Sequence, residues 1–222
     1  MRGAVQVSRH AAAALWHALP RLMLVSVVWA AVAWPLVTLG AVTLAAYAWL
    51  RRALLEVADE RREGDAGGPV IPDEPFASLP RFLLRLWWPG TLWAGLNAGL
   101  LAAVWADLTL WRTQPGALGG ALAGVGGVLL GWLWLALQPY LLDALAEGLP
   151  LPRAVGEAAR ILLAYPLYSQ LCAVPPLLLA ATCWWFSSLW PLAGAGLLLG
   201  YWAHVATGDP RPRRTGRVKE VL

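Results

Sequence analysis

The chain has 222 residues, 59% of them apolar and only 14% charged, with 15 tryptophans and a formal net charge of +4. A soluble domain carries about 25% charged residues, so this chain lacks the charge to cover a water-facing surface. The arginines gather at the ends of apolar segments instead of interleaving with aromatics, which sets nucleic acid aside, and the absence of period-2 alternation sets aside a membrane barrel. What is left is an all-α, polytopic membrane helix bundle, a single integral membrane domain over 1–222 with the lipid bilayer as its first partner.

The chain opens on a basic segment (Arg2, Arg9, Arg21). The apolar run that follows far exceeds the roughly 7–15 residues of a signal peptide, so the first span is expected to be kept. Leu22–Leu50 carries no charge over 29 residues. As one kinked span it gives five spans and ends on opposite sides; as a hairpin it gives six and ends on one side. Lys and Arg near span ends mark the cytoplasm. The hairpin places 16 of the 17 cations inside, whereas the single span places 13 inside and 4 outside. Local chemistry agrees with the hairpin. Pro35 disfavours helix at Trp34, Thr38 can cap a new helix, and Gly40 allows a close approach. The alternative is that Pro35 only kinks one helix, which membrane helices tolerate. Two spans need about 40 residues, so the hairpin must reach back to Ala12 and forward to Leu55.

Residues 56–80, with ADERREGDAGG at their centre, read as an exposed cytoplasmic loop. Spans are expected over 87–109, 117–141, 161–182 and 188–207, with a short surface helix at 148–160 after Pro152. A basic cytoplasmic tail follows at 208–222 (Arg211, Arg213, Arg214, Arg217, Lys219). Cys172 and Cys183 are 11 residues apart, roughly 16 Å along a helix and too far for a disulfide. Tryptophans near span ends (Trp34, Trp87, Trp88, Trp111, Trp184, Trp185, Trp190) fit interfacial belts.

Trp29, then Trp34-Pro35-Leu36-Val37-Thr38-Leu39-Gly40-Ala41, then Ala45-Ala46-Tyr47 and Arg51-Arg52 resemble the opening of the YesL family of small bacterial integral membrane proteins. Phe76 and Phe82 match the phenylalanines that precede the family's next span. The resemblance implies a family-motif turn at Trp34, Pro35, Thr38 and Gly40. It also implies a protein of unknown activity found alongside carbohydrate-uptake systems, in the bacterial cytoplasmic membrane, with no established catalytic residues.

Polar residues inside a span are the candidates for chemistry. Asp107 lies near an outer span end, five residues before Arg112, and reads either as a substrate or proton site or as an interfacial carboxylate beside its arginine. Asn97, Gln138 and Gln170 lie deeper, where each lines a polar cavity or bonds a neighbouring helix. His204 sits near the exit of the last span, and Asp143 and Glu147 share a helix face that reads as solvated. No catalytic or phosphate-loop motif occurs, so an enzyme is the least supported class and neither cofactor nor metal is expected. The GxxxG pairs Gly95/Gly99, Gly116/Gly120, Gly120/Gly124, Gly127/Gly131 and Gly196/Gly200 are expected to pack spans together, or to dock a permease partner or a second copy. The expected function is an accessory or regulatory membrane component of a solute-uptake system; the alternative is a small-solute transporter in its own right.

Overall fold

A computed structural model describes residues 8–9, 11–13, 15–16, 18–33, 38–62, 79–113, 118–185 and 194–207. Among them every regular element is a helix: α1 (Leu19–Ala33), α2 (Leu39–Arg62), α3 (Leu79–Thr113), α4 (Leu118–Ala146), α5 (Leu151–Ala164), α6 (Pro166–Trp185) and α7 (Ala195–Thr207). Three of these, α3, α4 and α6, are long and apolar enough to cross a membrane. Shorter helical stretches at 8–9, 11–13 and 15–16 precede α1.

The described part of the charge-free run Leu22–Leu50 forms two helices. α1 ends at Ala33, and α2 opens where the Thr38 carbonyl accepts the Val42 N–H at 2.9 Å. The two helices pack on each other, and the Trp29 indole donates to Thr43 Oγ1 at 2.9 Å. Trp34 and Pro35 lie outside the described residues, as does the whole tail 208–222. The expected loop 56–80 is helical at both ends, because α2 runs to Arg62 and α3 begins at Leu79. Its charged flanks, Glu56 to Arg62, include good helix formers that extend the apolar helix.

α2 is the centre of the molecule. Gly40 through Leu50 are buried without a break, so this stretch is covered on every side, as expected of a helix that is apolar all round. α3, α7, α1 and α4 supply the cover. Contacts fix the helix directions. Tyr47 and Arg51 meet Pro139 and Asp143 in the same chain order, so α2 and α4 run parallel. Trp93 meets Gln138 and Trp134 meets Asn97, so α3 and α4 run antiparallel. Gly196 lies against Leu22 and Ser26, and Gly200 against Leu15 and Leu22, so α7 opposes α1. α2 and α4 therefore point one way and α3 the other, while α7 opposes α1.

The far half of the α3–α4 hairpin stands away from this core. Leu101, Trp105, Leu118, Leu122, Val125 and Val128 are exposed there, an apolar surface suited to lipid. At the other end α4 closes with Gly148 at φ +87°. The Gly148 N–H donates to the Leu145 carbonyl at 2.9 Å and the Leu149 N–H to Ala144 at 3.1 Å. This is a left-handed helix stop that glycine adopts without a Cβ clash. The surface helix then runs beyond its expected end, to Ala164, and the next span starts at Pro166 instead of 161. Pro166 disfavours helix at Tyr165, which sits at φ −131°, ψ 59° and marks the boundary.

Candidate functional site

Two polar clusters cross the bundle. The first joins α3 to α4 and contains two of the amides singled out from sequence. Asn97 Oδ1 accepts from Trp134 Nε1 at 2.9 Å and from Gln138 Nε2 at 3.2 Å. Gln138 Oε1 accepts from Trp93 Nε1 at 3.0 Å, and Asn97 Nδ2 donates to the Trp93 carbonyl at 2.8 Å. Asn97 and Trp93 are four apart on α3, and Gln138 and Trp134 four apart on α4, so each pair shares one helix face. Two indoles and two amides thus satisfy one another across the α3–α4 contact. Gln170 follows the same pattern separately, accepting from Trp132 Nε1 where α6 crosses α4.

The second cluster lies at the Arg51 end of α2. Arg51 donates through Nε to Asp143 Oδ1 and through Nη2 to Glu147 Oε1, the latter at 2.7 Å. Asp143 and Glu147 stand one turn apart on α4 and its C-terminal turn, so both carboxylates face one guanidinium. Tyr47, one turn before Arg51, is fully buried and donates to the Pro139 carbonyl at 3.3 Å. The expectation of a solvated carboxylate face is corrected here. The helix passes beyond 141 and carries Asp143 inward against α2, where Arg51 neutralises it.

Asp107 does not pair with Arg112; among the described residues neither makes an ion pair. Five residues along a helix is about 140° of rotation, which puts the two side chains on different faces. Asp107 instead lies over α4 at Gly127, where an added Cβ would come 3.1 Å from its own Cβ. His204 is half-buried in the last turn of α7, remote in sequence from both clusters. The polar candidates therefore divide: Asn97 and Gln138 meet, whereas Asp107, Gln170 and His204 each stand elsewhere. Among the described residues no group of His, Cys, Asp or Glu has the arrangement of a metal site.

The glycine pairs divide as well. Gly196 and Gly200 carry the α1–α7 contact, where the Gly196 N–H donates to Ser26 Oγ at 2.8 Å and Ser26 donates to the Leu22 carbonyl at 2.9 Å. Gly124 receives the Trp111 ring, and Gly120 and Gly127 are buried. A Cβ added at Gly95, Gly99 or Gly131 would meet nothing within 4 Å, so the Gly95/Gly99 pair does not pack within the chain and is the kind left for a partner's helix. Gly116 lies outside the described residues. The motif glycine Gly40 does make a close approach, to Gly90 of α3, a partner the sequence did not single out.

Cys172 and Cys183 are both buried free thiols. Comparison of the chain with models of protein families, with curated proteins and with solved structures finds no match in any of the three.

Proposed function

We propose that the chain is a six-span protein of the bacterial cytoplasmic membrane, both termini inside, that works by assembling with a membrane partner. The resemblance of its opening to the YesL family makes a carbohydrate-uptake permease the partner of choice. One observation carries this reading: the deep polar side chains are used to hold helices together. Asn97, Gln138 and Gln170 are bonded to indoles of neighbouring helices, and Asp143 and Glu147 hold Arg51. A transporter needs embedded groups that bind and release a solute, and groups engaged in this way supply adhesion instead.

The helix directions support six spans. α3 runs against α2 and α4, and α7 against α1, which suits a hairpin at 34–37 and a C-terminus on the side where α2 ends. The open glycines of α3, Gly95 and Gly99, with Ala102 and Ala106 on the same face, suit close approach by a partner's helix or a second copy.

Copurification from native membranes tests the proposal. A permease recovered in stoichiometric amount is the expected result. Solute flux into liposomes that contain this protein alone would overturn the accessory role and establish a transporter. The Asn97→Ala variant sharpens the distinction. An adhesive role predicts lower thermal stability, whereas a solute pathway predicts altered flux at unchanged stability.

A further inference from the structure

We propose that the turn between α4 and α5 binds the phosphate headgroup of an anionic phospholipid, held by Arg85 and Arg153 with Arg81 beside them. Three positive features converge on this turn. The first is Arg85 of α3, whose Nη2 lies 3.8 Å from where a Cβ on Gly148 would stand, so the guanidinium overlooks a spot that glycine leaves open. Arg81 precedes it by one helical turn, on the same side of α3. The second is the start of α5, whose backbone N–H groups make a helix end equivalent to about half a positive charge. Its N-cap is Pro150, no side chain caps it, and its first turn contains no acid. The third is Arg153, exposed in that same first turn, where a helix end disfavours a cation.

The neighbouring carboxylates are engaged elsewhere. Asp143 and Glu147 hold Arg51, and Glu157 holds Arg160 at 3.4 Å. Among the described residues Arg81, Arg85 and Arg153 make no ion pair, although they share one end of the bundle with each other and with a helix N-terminus. Such an unbalanced group of like charges is stabilised by an anion. The depth of the turn says which anion. Trp87 and Trp88, exposed two and three residues beyond Arg85, have the character of an interfacial belt. α5 packs Ala154, Ala158 and Ile161 against the bundle and keeps Arg153 and Arg160 exposed on its outer side. Leu163 and Leu167 then stand open to hydrocarbon at its end. An anion at this level is a lipid phosphate. The inference needs only the membrane reading, and it holds whichever partner the protein has.

The test titrates the purified full chain in mild detergent with phosphatidylglycerol or phosphatidylcholine and follows the melting temperature. Phosphatidylglycerol is expected to raise it, and phosphatidylcholine to leave it in place. At about fivefold per cation near the surface, the Arg85→Gln/Arg153→Gln variant is expected to bind about 25-fold more weakly. Arg112→Gln, at the far end of α3, is expected to bind as wild type does. If the double variant is poorly folded, Arg153→Gln alone is read for its fivefold loss, since that side chain is exposed. Equal affinity in wild type and variants would overturn the site. Inorganic phosphate or an acidic peptide reproducing the shift at similar concentration would overturn the lipid assignment in favour of a soluble anion or a protein partner.

Discussion

At the α2–α3 crossing a methyl group on Gly40 would overlap the Gly90 carbonyl oxygen and lie 2.6 Å from the Ala94 Cβ. Backbone on one side and a short side chain on the other leave nothing that can swing away, so the helices themselves must part. Gly196 is held the same way, against the Leu22 carbonyl and 2.8 Å from Ser26 Oγ. Gly40→Ala and Gly196→Ala are each expected to cost about 1–3 kcal/mol of stability, the usual penalty for overpacking. Gly95→Ala, with open space around it, is expected to stay within about 0.5 kcal/mol of wild type. Reversible unfolding in detergent checks all three, and equal losses would show that these contacts do not set the crossings. The Arg51 pairs give a second graded prediction. Arg51 and Asp143 are each 18% exposed in their side chains, whereas Glu147 is 50% exposed and well screened. Glu147→Gln is therefore expected to cost about 0–1 kcal/mol, and Asp143→Asn about 1–3 kcal/mol as a charged hydrogen bond is lost. A double-mutant cycle between Arg51→Gln and Asp143→Asn should return a coupling of about 1 kcal/mol or more. A coupling near zero would mean that α2 and α4 are held by packing alone.

Between elements, the Trp93–Asn97–Trp134–Gln138 cluster pins the register of α3 against α4. Interhelical hydrogen bonds in membranes are worth about 0.6 kcal/mol on average and up to about 1.7. Asn97→Leu removes the acceptor for both Trp134 and Gln138, so a loss of about 1–2 kcal/mol is expected. Combined with Gln138→Leu, the total should fall short of the sum, since the Asn97–Gln138 bond is broken in both single variants. Strict additivity in thermal unfolding would show that the two amides act independently. The residues of this cluster also mark how far sequence could lead. The amides were legible as unusual polar groups in apolar runs, but their indole partners were not, because 37–45 residues separate them along the chain. The start of α2 after Thr38 was legible because a capping threonine acts locally. The stop at Gly148 was not read, since the span was expected to end at 141, although a glycine with proline two residues on marks it. The boundary at Tyr165 was equally local, in Pro166, yet the uniform apolar run Ile161–Thr207 concealed it. The partners of Arg51 were not legible, because its carboxylates lie 92 and 96 residues away.

For the whole molecule, the question is how many times the chain crosses the bilayer. α1 has 15 residues, about 22 Å of rise, short of a hydrocarbon layer of about 30 Å. Helical stretches at 8–9, 11–13 and 15–16 precede it, and α2 carries on past Leu55 to Arg62. Orientation then follows from charge and direction together. α2 ends, α3 begins and α4 ends at one end of the bundle, where Arg51, Arg52, Arg81, Arg85, Arg153 and Arg160 gather, while Arg112 stands at the far end of α3. α7 opposes α1, so a hairpin at 34–37 would direct the C-terminus to the arginine-rich end. Lys and Arg near span ends stay in the cytoplasm. Reporter fusions at the N-terminus, at Asp65 and after Leu222 are therefore all expected to report cytoplasm. A cysteine at Leu36, in a chain lacking Cys172 and Cys183, is expected to react with a membrane-impermeant reagent from outside, and one at Leu100 to be protected. An N-terminal reporter found outside would demand an odd number of crossings. α1 and α2 would then form a re-entrant or surface pair instead of two spans, and the arginine-rich end would have to be explained without the first hairpin.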